Sequence, residues 1–457
     1  MNRQQNDSIA HPVISVDYHK FCYENHHYLY QATDMKAYRI DADLYKQLER
    51  MEKHGFTDAN KIPALKRVLK TMNLMPAEQQ TGNKAGEHLR RLKISNISLN
   101  VAQQCNMACI YCYGAGGTYG ESGMMDRQTA FQAVDFLFRN SGEAKAVSIV
   151  FFGGEPLLNF DLIKAVVDYA KQQGNAHKKG VYFALTTNGT CLSPPVINYL
   201  NRNKFSVTIS LDGDAKEQNT NRPLKDGKDS FKLVIKRINQ FLESRDGKAT
   251  ARATLMTGEP SAGKIREKLK SYGFQKVEIV PATGQKTNQE PSYQSVFNDQ
   301  EVRADELLHD IKSRRRVPDD QLIKTLRRLA FRCAKMNFCG AGSNTVAISS
   351  SGKSYPCHRF VGMSEFSFDF VSRFRHATQM AFVSKISAKS PACQNCWALK
   401  LCGGGCYYDN YREAGDPIIP SARNCEITKR QIEMAIYVYD QLVTEDLYYL
   451  KGFDLYN

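Results

Sequence analysis

The sequence predicts an α/β protein: six strand–helix units forming a parallel sheet, curled into a partial (β/α)6 barrel, with a small α+β domain before it and a cysteine-rich domain after it. Three observations predict this. Between Ile94 and Pro281 strand-like and amphipathic helical runs take turns. Before them, short alternating runs give way to helical stretches. Behind them, from Cys333 onward, cysteines recur at close spacing.

The alternating runs in His11–Asp43 (VISVDYHKF, HYLYQA, KAYRID) read as strands. Asp43–His54 puts Leu44, Leu48 and Met51 on one helical face, and Asp58–Met72 carries Ile62, Leu65, Val68 and Leu69. Residues 1–80 therefore form the first domain, and Pro76–Glu87 reads as a linker. The barrel, 90–285, takes strands from Ile94–Ala102, Val147–Phe152, Val181–Thr187, Phe205–Leu211, Ala249–Met256 and Val277–Pro281. Helices near Arg127–Arg139, Asn159–Gln172, Pro194–Asn201, Ser230–Leu242 and Ala262–Ser271 separate them. Residues 286–332 form a basic helical connector, and 333–457 hold the cysteine-rich domain with a helix over Glu426–Val443. In such sheets active sites gather at the C-terminal ends of the strands.

The chain has 457 residues, enough for several cores. Its longest apolar run, Ala146–Phe152 with Ser148 tolerated, is far too short to span a membrane. The N-terminal MNRQQNDSIAHPV lacks an apolar signal core, so a cytoplasmic location is expected. A net charge of +15 fits an acidic partner without demanding nucleic acid. Thirteen cysteines in such a chain need a use other than disulfides. Cys22 and Cys191 stand apart and read as packed thiols, whereas the rest fall into two dense groups.

The first group, CNMACIYC, sets Cys105, Cys109 and Cys112 just after the first barrel strand. Three thiolates can hold three irons of a cubane and leave the fourth open to a small chelating molecule. Zinc is an alternative that lacks an obvious fourth ligand here. The next strand ends in Gly153, Gly154, Glu155 and Pro156, where a carboxylate can accept from an ammonium group. Asn188 closes the third strand, Ser210 and Asp212 the fourth, and Arg222 follows with a guanidinium suited to a carboxylate.

These motifs resemble the radical S-adenosylmethionine (radical SAM) superfamily, whose signature is this cysteine spacing with an aromatic, here Tyr111, before the third cysteine. The resemblance implies a [4Fe–4S] cluster whose open iron is chelated by SAM, with the adenine near Tyr111. It implies Glu155 on the methionyl ammonium and Ser210 with Arg222 on the carboxylate. It also implies reductive cleavage of SAM to a 5′-deoxyadenosyl radical that takes hydrogen from a substrate.

The second group runs from Cys333 and Cys339 through Gly352 and Cys357 to Cys393, Cys396, Cys402, Cys406 and Cys425. It resembles the SPASM domain, a two-cluster extension of peptide-modifying radical SAM enzymes; a zinc ribbon is the alternative. The resemblance assigns Cys333, Cys339, Cys357 and Cys406 to auxiliary cluster I, and Cys393, Cys396, Cys402 and Cys425 to auxiliary cluster II. The cofactors implied are SAM and three [4Fe–4S] clusters, with fully ligated auxiliary clusters in a relay or structural role. His358 stands where sulfatase-maturating relatives carry an aspartate base; it reads either as a proton acceptor or as a packed histidine.

The N-terminal layout resembles the winged-helix recognition element of enzymes that mature ribosomally made peptides. Such an element takes a leader peptide as an added strand. The expected function is therefore cross-linking, through a thioether or carbon–carbon bond, of a precursor peptide. A flavodoxin or ferredoxin is the expected electron donor. Formylglycine formation and a non-catalytic cluster protein binding nucleic acid are the alternatives.

Overall fold

The computed structural model describes residues 18–54, 92–245, 248–256, 260–282, 293–315, 317 and 319–451. The expected helix Asp58–Met72 and linker Pro76–Glu87 lie outside them. At the N-terminal end β1 (Tyr18–Tyr23), β2 (His26–Gln31) and β3 (Lys36–Ile40) form an antiparallel sheet in sequence order, followed by the helix Ala42–His54. Leu29 and Ile40 of the sheet pack with Leu48 and Met51 of that helix. Phe21, Tyr28 and Tyr30 belong to a second core with Leu307, Leu326, Ile432 and Ala435, on helices Tyr293–Lys312, Gln321–Ala330 and Ala422–Asp440. The small sheet is thus packed against the C-terminal half of the chain.

The principal sheet is built from β4 (Asn96–Gln103), β5 (Gly123–Met124), β6 (Ala146–Gly153), β7 (Gly180–Thr187), β8 (Ser206–Ser210), β9 (Thr250–Leu255), β10 (Lys276–Pro281), β11 (Thr345–Ile348) and β12 (Ser354–Tyr355). Its order is β10-β9-β8-β7-β6-β4-β11-β12, with β5 antiparallel on β4. Six parallel strands run side by side from β4 to β10, and the path does not close on itself. Fully buried Ile97, Leu99, Ile149 and Phe151 share one core with Val134 and Leu137 of helix Arg127–Asn140 and Val166 of helix Phe160–His177. The intervening Ser98, Asn100, Ser148 and Val150 lie on the opposite face, because side chains alternate along a strand.

Two features lie beyond the sequence expectation. Strand β11, from the cysteine-rich region, pairs parallel with β4 (Thr345↔Asn96 to Ile348↔Leu99), so this region continues the sheet. A short helix, Ala215–Asn221, follows β8; Asp214 caps it and Glu217 completes a capping box. That helix returns the chain to the strand ends and leaves Arg222 at its C-cap. Among the described residues no helix is long and apolar enough to cross a membrane.

Candidate functional site

The loop after β4 is held by its backbone and its neighbours. Gly154 and Glu155 donate their N–H groups to the carbonyls of Ala102 (2.8 Å) and Gln104 (2.9 Å). A Cβ at Gly153 would lie 2.2 Å from the Ala102 oxygen, and one at Gly154 2.3 Å from the Gln104 oxygen. Gly153 also has φ +132°. These glycines therefore serve the approach of this chain's own cysteine loop. The buried Gln103 side chain donates to the Thr118 (2.9 Å) and Glu121 (2.8 Å) carbonyls and accepts from Ser350 N–H (2.7 Å). It ties the loop to the segment after β11.

Cys105, Cys109 and Cys112 are partly buried and act on one another electrostatically. Burial pushes the Cys105 thiol up to about 11 and the Cys109 thiol in the same direction. The Met107 N–H donates to the Cys105 sulfur at 3.4 Å. Asn188 sends its amide to Asn106 Oδ1 (2.9 Å) and to the Cys105 sulfur (3.7 Å), and its Oδ1 accepts from Thr190 N–H and Oγ1. Asn188 thereby braces the cysteine loop from β7.

Glu155 is fully buried. Its Oε1 accepts from Leu157 N–H (3.1 Å) and Thr187 Oγ1 (2.8 Å), and its Oε2 from Asn188 N–H (2.7 Å). Burial pushes its carboxyl up to about 7, against those hydrogen bonds and the Arg222 charge. Pro156 opens the 3-10 turn Pro156–Asn159 behind it. Tyr111 donates its hydroxyl to Asp212 Oδ2 (2.5 Å) and accepts from Arg222 Nη1 (2.6 Å). Asp212 Oδ1 accepts from Thr254 N–H at 3.0 Å, so one network joins the cysteine loop to β8 and β9. Ser210 ends β8, half-buried beside it. The sequence had set Arg222 on a ligand; the structure also places it on Tyr111.

The cysteines of the second group fall into two neighbourhoods and one outlying residue. Cys393, Cys396, Cys402 and Cys425 line one pocket with Ala398, Leu399, Gly404, Thr428 and Lys429. Cys339, Cys357 and Cys406 act on one another electrostatically, and burial pushes Cys357 to about 12. Cys333 is exposed, with its thiol on the Phe331 carbonyl at 3.5 Å. His358 packs against Phe152 with the rings tilted by 37° and 4.3 Å between centroids, next to the Gly153 turn. Burial, with the Arg359 and Arg252 cations, holds it down at about 3, so it is neutral.

Among the described residues no three His, Cys, Asp or Glu side chains converge tightly enough for a single metal ion. The fit of a cluster and its ligand rests on donor chemistry. Three partly buried sulfurs stand in one loop, and the buried Arg222 Nε has no hydrogen-bond partner among the described residues. An unpaired buried guanidinium N–H beside a buried carboxylate suits a zwitterionic ligand.

Several contributing residues carried no motif. Gln103, Asn106 and Thr190 hold the loop through hydrogen bonds. Tyr113 and Arg359 connect it to the second group: the guanidinium lies 5.2 Å from the Tyr113 ring, donates to the Cys406 sulfur at 3.7 Å and pairs with Asp409 at 2.7 Å. Asn100 is fully buried on β4 with neither amide atom partnered among the described residues. The adjacency of Gln103 and Asn106 to Cys105 was the only signal available.

Residues 99–263 match the Radical SAM superfamily. The chain carries a radical SAM domain. Such a domain implies S-adenosylmethionine and a [4Fe–4S] cluster. An uncharacterized protein of Methanocaldococcus jannaschii is 35% identical over 143 residues, 31% of this chain and 47% of that one. The radical SAM cyclopropyl synthase TigE of Paramaledivibacter caminithermalis is 28% identical over 166 residues, 34% of each chain. The chain thus spans half or less of the length of these two relatives. A cysteine-type anaerobic sulfatase-maturating enzyme of Clostridium novyi is 24% identical over 376 residues, 75% of this chain and 95% of that one. The relatives with a named activity are enzymes, which supports an enzyme here.

Two solved structures share the fold. Native anSMEcpe with bound AdoMet has a TM-score of 0.64 at 19% identity, covering 76% of this chain and 100% of that one. Streptococcus suis SuiB bound to precursor peptide SuiA has a TM-score of 0.51 at 16% identity, covering 90% and 99%.

Proposed function

We propose that this chain is a radical SAM peptide maturase. It would cleave SAM reductively and abstract hydrogen from a ribosomally made precursor peptide to install a thioether or carbon–carbon cross-link. The observation that carries this reading is the convergence at one sheet end of three cysteines, the buried Glu155 carboxyl and the unpaired Arg222 Nε. Cys105, Cys109 and Cys112 hold the cluster, Glu155 accepts from the ligand's ammonium, and Arg222 meets its carboxylate. Bound there, the cluster and SAM supply one-electron cleavage of a carbon–sulfur bond and a carbon radical. The chain's own part is to bind, orient and exclude water. Asn188 and Gln103 fix the loop, and Tyr111 with Asp212 fixes Arg222.

In this reading 333–457 is a SPASM domain. Auxiliary cluster II uses Cys393, Cys396, Cys402 and Cys425, supported by their shared pocket. Auxiliary cluster I uses Cys339, Cys357 and Cys406, with Cys333 closing on it. The β1–β3 sheet acts as the leader-recognition element, and a flavodoxin or ferredoxin supplies electrons. The likeness to SuiB with its precursor peptide supports a peptide substrate. The likeness to a sulfatase-maturating enzyme favours a second reading, formylglycine formation. Against it stands His358, neutral and packed against Phe152, where that chemistry expects an aspartate.

The test is anaerobic reconstitution of the full chain with iron and sulfide, reduction by dithionite, and assay for 5′-deoxyadenosine. No 5′-deoxyadenosine sinks the reading. Mass spectrometry of candidate peptides then separates a cross-link from an oxidised Cys or Ser. Deleting residues 1–80 is expected to abolish leader binding while SAM cleavage persists.

A further inference from the structure

Lys389 precedes the turn Pro391–Gln394 that carries Cys393, and its backbone lies at φ 59°, ψ 154°. That region is almost reserved for glycine and costs on the order of 1–3 kcal/mol for another residue. The side chain of this lysine is anchored at its tip. Its Nζ donates to Asn337 Oδ1 (2.9 Å) and to the Ile386 carbonyl (2.8 Å), and lies 5.7 Å from the Tyr407 ring.

The CGGGC turn is shaped around this side chain. A Cβ at Gly404 would come within 3.3 Å of Lys389 Cδ and 3.4 Å of Nζ, and one at Gly403 would come within 2.6 Å of the Asn337 backbone. Gly404 also lines the pocket of the second cysteine set. The half-buried ammonium therefore packs behind the Gly404 wall of that pocket, which Lys429 also lines.

Among the described residues no carboxylate forms an ion pair with Lys389. Its two hydrogen-bond acceptors are neutral, and burial disfavours an unpaired cation. The segments at its tip carry cysteines of both sets: Asn337 stands two residues before Cys339, Tyr407 follows Cys406, and Gly404 lies between Cys402 and Cys406. The Cys393, Cys402 and Cys339 thiols all favour its charged form. Lys335, with its Nζ 4.5 Å from the Phe338 ring, is acted on by Cys402 and Cys339 as well.

We infer that Lys389 is the shared counter-charge of the two auxiliary cluster sites and sets their reduction potentials. A fixed cation beside a cluster favours its more negative, reduced state, because cluster potentials follow local charge and hydrogen bonding. Its ammonium raises both potentials together, above the background set by Lys335 and by Lys429, and leaves the SAM-binding cluster unaffected. Lys389 is a positioning residue in this scheme. It touches neither substrate nor SAM.

This rests on the two-auxiliary-cluster reading above, and the experiment separates the two. The reconstituted full chain and its Lys389→Met, Lys389→Gln and Lys389→Arg variants are analysed for iron and titrated electrochemically, with EPR following each cluster. Iron for one cluster only in the wild-type chain overturns the reading and the inference together. With three clusters present, the neutral variants are expected to lower an auxiliary potential by about 59 mV, a tenfold change for a one-electron couple. Lys389→Arg is expected to stay near wild type and the SAM-binding cluster not to move. Unchanged potentials in both neutral variants overturn the inference and leave the reading standing. If the neutral variants lose auxiliary iron while Lys389→Arg keeps it, the charge serves assembly rather than potential, and the inference is overturned. Loss in all three variants assigns Lys389 a steric role and overturns it.

Discussion

Replacing Glu155 by Gln tests the heart of the site through stability and pH. The carboxyl stands at about 7 in the folded chain against an ordinary 4.5, because burial outweighs its three hydrogen-bond donors. The folded state therefore binds its proton more tightly than the unfolded state does. Its full contribution to stability is present below pH 4.5 and is lost as the pH rises through 7. At 1.36 kcal/mol per pKa unit the loss is about 3 kcal/mol. The assay is urea unfolding of the reconstituted wild-type and Glu155→Gln chains without SAM, from pH 4 to pH 8. Other titrating groups cancel in the difference. The wild type is expected to lose about 3 kcal/mol relative to the variant across that range. Adding SAM should stabilise the wild type at pH 8 more than the variant, since a ligand ammonium bonds a carboxylate more strongly than a neutral amide. A pH-independent difference would refute the argument that burial sets the protonation of this group.

Gly154→Ala forces a Cβ to 2.3 Å from the Gln104 oxygen, so a loss of about 1–3 kcal/mol and depleted iron at the first cluster are expected in unfolding and iron assays. Arg222→Met removes the cation that acts on buried Asp212 across Tyr111, and about 1–3 kcal/mol of stability should go with SAM binding, measured by calorimetry. His358→Ala should leave 5′-deoxyadenosine formation intact. Because His358 stays neutral down to about pH 3, the wild-type rate should show no step near 6.5 that the variant lacks, which a pH profile checks. Trp397, the single tryptophan, stacks on His19 at 3.8 Å next to Cys396, so His19→Ala should change its fluorescence; an identical spectrum would contradict the stack.

Local pattern determined the parallel-strand core. Strand runs such as VSIVFF and FSVTISL and amphipathic helical runs declare themselves within about ten residues, because periodicity reports burial directly. The three-cysteine loop was legible for a related reason: ligand spacing within one loop is a property of contiguous chain. Distant contacts had no such signal. That β11 would pair with β4, some 250 residues earlier, depends on which edge stays open after the barrel strands assemble. That Gly153 and Gly154 serve the Cys105 loop, that Arg222 rests on Tyr111, and that Lys389 meets Asn337 and the Gly404 turn are decided by approach between segments far apart in sequence. Sequence by itself determined which chemical groups the protein owns and the local geometry of each loop. Only tertiary structure decided which groups meet and what their charges become, because burial and long-range pairing are properties of the packed chain.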